Sequence, residues 1–184
     1  IQFSKSGYIT GNFNVYSCGS VGSQNSQISA SLPTGTMRIV LHWGTNSGLN
    51  IVDSHLTGPD NASGRFHVYW EAVSGQDVFY YATNSFDCTT CTSSQKSDNV
   101  TLDQDDADGA PGTETITIPT DSWRSGTYRY SAHDYTNKAS TSTTKFSKSG
   151  TTVKVYYNGT ETTYNVPNSA GNLWTVFTID GSSK

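Results

Sequence analysis

A chain of 184 residues with a net charge of −4 and only 14% charged residues is long enough for one well-buried domain plus an appendage, and too short for two ordinary domains. Its eleven Lys and Arg are scattered, which excludes the basic footprint of a nucleic-acid or anionic-membrane surface, and no run of about eighteen apolar residues is present to span a bilayer. Hydrophobic content is 33%, with eleven Tyr, seven Phe and four Trp, the profile of β-structure with one face in water.

Residues 1–35 read as an N-terminal arm and linker. Alternation in Tyr8-Ile9-Thr10-Gly11-Asn12-Phe13-Asn14-Val15-Tyr16 predicts a strand over 8–17 whose apolar face carries Ile9, Phe13 and Val15. The word Phe3-Ser4-Lys5-Ser6-Gly7 recurs unchanged as Phe146-Ser147-Lys148-Ser149-Gly150, and both copies run into strand-like sequence. A terminal segment that imitates an internal strand suits strand addition to a neighbouring subunit; chance repetition in a Ser-, Thr- and Gly-rich chain is the competing account. The first residue is Ile1, as in a mature form whose leader has been removed, although a trimmed chain begins the same way.

Further strands are predicted near 26–32, 36–43, 51–57, 65–71, 77–83, 99–103, 113–118, 126–133, 151–157, 160–166 and 172–179, separated by Gly, Pro, Asn, Asp and Ser clusters. Val153/Val155/Tyr157 and Leu173/Thr175/Phe177/Ile179 alternate at period two, and Asn158-Gly159 between strand-like flanks is the preferred two-residue hairpin signal. The expected fold is all-β, an antiparallel two-sheet β-sandwich spanning 36–184 with the arm appended. Residues 84–98 and 136–145 are expected as surface loops.

The order of motifs from residue 36 onward resembles the bacterial domains called YfaP-like: Met37-Arg38-Ile39-Val40-Leu41-His42-Trp43-Gly44, Val52-Asp53-Ser54-His55-Leu56-Thr57-Gly58-Pro59, Gly64-Arg65-Phe66-His67-Val68-Tyr69, Leu102 to Asp106 followed by Glu114-Thr115-Ile116-Thr117-Ile118, Gly126-Thr127-Tyr128-Arg129-Tyr130-Ser131-Ala132-His133-Asp134-Tyr135 and Leu173-Trp174-Thr175-Val176-Phe177-Thr178-Ile179-Asp180-Gly181. The resemblance covers about four fifths of the chain and implies a β-sandwich in an envelope or extracellular setting, as in modules of surface proteins and pilus-like filaments. Relatives carry an Asp-Leu-Asp run before Ser-His, whereas Leu49-Asn50-Ile51-Val52 precedes Asp53 here, so one carboxylate is missing and a ligand role carried over to that segment is weakened.

Three constellations bear on chemistry. Asp103-Gln104-Asp105-Asp106-Ala107-Asp108-Gly109 concentrates carboxylates before a glycine; Asp103, Asp105 and Asp106, with Asp53, are the expected oxygen shell if a calcium ion is bound, and a solvated acidic turn is the alternative. His42, His55, His67 and His133 lack the usual spacing of a zinc site, and no nucleophile sits on a sharp glycine-flanked turn. Asp53 and His55 share a strand face; half-buried rings bonding carboxylates and backbone are the favoured account. Cys18, Cys88 and Cys91 suit a disulfide in an oxidising compartment, as Cys88 with Cys91 or Cys18 with either, leaving one thiol over.

Asn61, Asn99 and Asn158 open glycosylation sequons. Trp43, Tyr69, Trp70, Tyr80, Tyr81 and Trp123 offer either sugar-stacking surfaces or core packing. With no assembled nucleophile, base and oxyanion site, the sequence reads first as a non-enzymatic extracellular or cell-surface subunit. Its expected partners are copies of itself, polymerised by N-terminal strand addition with Ile9, Phe13 and Val15 as anchors. A calcium-ordered carbohydrate-binding module is the alternative, with glycans as partners. No cofactor is required, and neither nucleic-acid binding nor membrane insertion is expected.

Overall fold

The structure, a computed structural model, describes residues 2–8, 11–12, 30–45, 48–60, 64–70, 79–80 and 100–184. Ile9, Phe13, Val15, Cys18, Asn61, Tyr81, Cys88, Cys91 and Asn99 lie outside them, as does the loop expected over 84–98.

Period-two alternation folds as expected into two antiparallel sheets packed face to face, a β-sandwich with no α-helix among the described residues. Ten strands build it: β3 (Met37–Trp43), β4 (Val52–Pro59), β5 (Arg65–Val68), β6 (Phe79–Tyr80), β7 (Thr101–Gln104), β8 (Gly112–Ile118), β9 (Thr127–Asp134), β10 (Thr152–Tyr157), β11 (Thr160–Asn165) and β12 (Leu173–Asp180). One sheet has the order β11-β10-β3-β8-β7 and the other β12-β9-β4-β5-β6. Trp43, Ile39, Leu41, Ile116, Ile118, Phe66, Leu56, Tyr128 and Tyr130 fill the space between them, all essentially inaccessible. Packing is tight enough to demand glycine at Gly112, where an added Cβ would lie 2.0 Å from the Trp43 ring. Tyr128 ties the β8–β9 connection down, its hydroxyl accepting from the Arg124 N–H at 2.8 Å and donating to the Ser122 carbonyl at 3.2 Å.

The Asn158-Gly159 hairpin forms as expected. Tyr157 pairs with Thr160, and both turn residues have positive φ, 49° and 76°. Asn158 Oδ1 also accepts the Gly35 N–H at 2.7 Å, which pins the start of the sandwich to its own hairpin.

Of the strand expected over 8–17, residues 8, 11 and 12 lie among the described residues. The described residues of the arm form a small hairpin, β1 (Gln2–Phe3) against β2 (Gly11–Asn12), with Phe3 opposite Gly11, and Tyr8 makes one bridge to Ala30. Of the strand expected over 26–32, residues 30–32 are described; they make this bridge, with the Ser31 N–H donating to the Gly7 carbonyl at 2.8 Å. The repeated five-residue word turns the chain in both places, ending at Gly7 (φ 79°) and Gly150 (φ 69°). In the second copy Phe146 is buried and Phe146–Lys148 is a 3-10 turn, whereas Ser4, Lys5, Ser6 and Gly7 are exposed.

Candidate functional site

Two features stand out on this scaffold, and the first is the side of the sandwich bounded by β11 and β12. These are the outer strands of their sheets, and no strand among the described residues pairs with the far edge of either. Core-facing positions on the strands one step inward are fully buried: Val153 on β10, and Tyr128, Tyr130 and Ala132 on β9. Their partners on the outer strands face the same way but are not covered. Thr162 and Thr160, opposite Val155 and Tyr157, are exposed, and Trp174, Phe177 and Ile179, opposite Ala132, Tyr130 and Tyr128, are half-buried. The Tyr164 and Phe177 rings stack at 5.7 Å and join the two edges, while Leu173 stands 60% exposed at the start of β12. A sandwich whose inward-facing side chains stay accessible along one side is unfinished there, and its bare edges have backbone groups to offer a further strand.

The second feature lies on the outward face of the other sheet, away from the core. Alternation along β4 sends Val52, Ser54 and Leu56 inward, so Asp53, His55 and Thr57 face out. Register then supplies the neighbours: Asp53 sits opposite His133 of β9, and Thr57 opposite His67 of β5. His55 is thereby flanked on both sides. Its Nδ1 lies 2.9 Å from Nε2 of His67, and its ring packs 5.6 Å from that of His133. Ligand atoms of Asp53, His55 and His133 lie within 4.8 Å of one another, the one such group of three among the described residues. Tyr69 stacks on His67 at 4.3 Å, and Trp70 meets Tyr135 edge-on at 6.2 Å. Beside this cluster a cavity of about 190 Å³ is lined by Ile51, Asp53, Trp70, Asp105, Ala107 and Tyr135.

The electrostatics follow from burial. Desolvation, reinforced by the other two imidazoles, holds His55 down to about 3, and desolvation holds His67 down to about 4 and lowers His133. All three rings are neutral at neutral pH. Asp53 is pushed up to about 7 by desolvation and by Asp105, against the pull of Lys138, whose Nζ lies 3.7 Å over the Tyr135 ring. Behind Asp53, in the core, Glu114 is fully buried and its Oε2 accepts the Ser54 N–H at 2.6 Å. Burial raises it to about 9, with Asp53 and Asp105 adding to the rise. Two buried polar atoms of the cluster, Asp53 Oδ2 and His55 Nε2, have no hydrogen-bond partner. Leaving such a group unsatisfied costs about 1–3 kcal/mol.

Of the four carboxylates expected around calcium, Asp53 and Asp105 line one cavity, and Asp103 and Asp106 bond to other groups. Asp103 points outward from β7 and accepts from the Thr101 and Thr117 hydroxyls. Asp106 caps its own loop, accepting from the Asp108 and Thr113 N–H groups at 3.2 and 3.0 Å. Asp105, with Ala107 of the same loop, faces the cavity that Asp53 lines. Among the histidines, His42 lies on the opposite sheet, with Nδ1 3.1 Å from the Gly112 carbonyl. The aromatics divide: Trp43 and Trp123 are core residues whose indole N–H groups donate to the Asn50 and Gly35 carbonyls, and Trp70 is 39% exposed. Sequence reasoning paired Asp53 with His55 but not with His67 and His133, for which cross-strand register is the decisive information. Glu114 carried a legible signal, since it shares the inward parity of Ile116 and Ile118.

Comparison with family models, with curated proteins and with solved structures finds no match to this chain. Nothing in these comparisons bears on the YfaP-like resemblance expected of residues 36–181.

Proposed function

We propose that this protein is a non-enzymatic structural subunit that polymerises by adding its N-terminal segment as a strand to the unfinished side of the next copy. The observation that carries this reading is the side between β11 and β12, where Thr160, Thr162, Trp174, Phe177 and Ile179 face inward yet remain exposed or half-buried. A strand laid there would find backbone partners on both edges and a trough for alternate side chains. The occupant is a segment of a second copy with a matching pattern, Ile9, Phe13 and Val15 on one face of 8–16. The described part of the arm pairs with itself and with Ala30 rather than with either five-stranded sheet, which leaves it available to exchange partners. Each large anchor contributes about 1.5–3 kcal/mol on burial, which together with a strand's backbone bonds works against the costs of association. The low charge of the chain, 14% of residues, lets copies approach without strong repulsion. An extracellular or surface setting fits such a polymer.

Electron microscopy of the purified full-length protein tests the reading. Ordered filaments are expected, and deletion of residues 1–17 should leave a folded domain that does not assemble. Monodisperse full-length particles, or unchanged filaments from the truncated chain, would overturn it.

A further inference from the structure

We infer that Asp53, His55 and His133 form a binding site for a borderline transition-metal dication such as zinc, with His67 as the positioning residue behind His55. Three strands deliver these side chains to one face. Asp53 and His55 are two residues apart on β4, His133 lies directly across from Asp53 on β9, and His67 reaches His55 from β5. The ligand atoms lie within 4.8 Å of each other, against about 3.4 Å for ligands held about 2.1 Å from a tetrahedral metal. Binding draws these atoms together by about 1 Å.

Independent features of the site point the same way. Asp53 Oδ2 and His55 Nε2 are buried without a hydrogen-bond partner, an arrangement that a cation relieves at both atoms at once. His55 Nδ1 is engaged by His67 Nε2 at 2.9 Å, which is how a ligating imidazole is oriented and its tautomer fixed, leaving Nε2 for the metal. The donor set of two nitrogens and one carboxylate oxygen suits zinc, copper or nickel; calcium requires an all-oxygen shell. Three protein ligands leave a coordination position open, and a cavity walled by Trp70, Asp105 and Tyr135 adjoins the Asp53 ligand. This site lies on the outer face of its sheet, apart from the β11–β12 side, so it stands or falls independently of the polymer reading.

The test uses full-length protein stripped with chelator and titrated with zinc sulfate by calorimetry and with cobalt chloride by visible absorption. One zinc per chain is expected, with cobalt bands of a four- or five-coordinate nitrogen–oxygen site and no thiolate charge-transfer band. His133→Ala should weaken zinc binding at least tenfold, and His67→Ala by about 10–100-fold as an orienting residue. His42→Ala, on the other sheet, should bind as wild type does. His133 is half-exposed, so its alanine variant is expected to keep a cooperative melt in circular dichroism even where His55→Ala does not fold. Zinc binding that is absent, or equal in wild type and His133→Ala, would overturn the inference. So would a cobalt–thiolate band, which would place the metal on the cysteines, or displacement of zinc by equimolar calcium.

Discussion

Glu114 Oε2 lies 2.6 Å from the Ser54 nitrogen and accepts its N–H across the core, joining β8 of one sheet to β4 of the other. It does so where the β4–β5 ladder has ended, since the last pair there is Leu56 with Val68. A side chain completes what a strand would otherwise supply.

Burial of that carboxyl, against the opposing pull of the Ser54 bond, sets the alkaline limit of stability. Folding raises Glu114 from the ordinary carboxylate value to about 9, so above its unfolded value the folded state holds a proton that the unfolded state has lost. Stability therefore falls as pH rises, with a slope of about 1.4 kcal/mol per pH unit for one proton. Asp53, raised to about 7, adds to the slope only below that pH, and the depressed histidines act only on the acid side of their unfolded value. Between pH 7 and 9, in chelator, the urea midpoint of wild type should fall. Glu114→Gln, which keeps an acceptor for Ser54, should flatten that fall and be the more stable protein at pH 8.

Gly112→Ala should destabilise the sandwich by about 1–3 kcal/mol, because its Cβ would overlap the buried Trp43 ring and the Asn50 carbonyl holds the indole N–H in place. Tryptophan fluorescence through a urea transition reads the change. A midpoint equal to wild type would mean that the Trp43 pocket yields freely.

Asn158→Ala should cost about 1–2 kcal/mol through the positive φ that alanine adopts poorly, with the lost contact to the Gly35 N–H adding to it. Asn158→Gly keeps the turn and loses the contact alone, so its midpoint should lie between the alanine variant and wild type. The reverse order would assign the residue's role to the side-chain bond rather than to the turn.

Thr162→Lys places a charge at an exposed inward-facing position of β11. The isolated domain, lacking residues 1–17, should melt within about 0.5 kcal/mol of its parent, as exposed substitutions do, while the full-length variant should fail to form filaments. Filaments of normal yield would move the acceptor surface away from β11.

The alternation of Met37–Trp43 or Thr152–Tyr157 and the Asn158-Gly159 pair determined strands, faces and one hairpin locally, because side-chain direction in a strand and the backbone of a two-residue turn depend on near neighbours. The inward parity of Glu114 with Ile116 and Ile118 was legible on the same grounds. Tertiary structure decided which strands stand at the edges, and hence that Thr160, Thr162, Phe177 and Ile179 remain uncovered. It also decided that His133, far along the chain from Asp53, lies directly opposite it, and that Asp105 shares a cavity with Asp53 while Asp103 and Asp106 bond elsewhere. Pairing and register between distant strands come from burying many side chains at once, and no local word in the sequence encodes them.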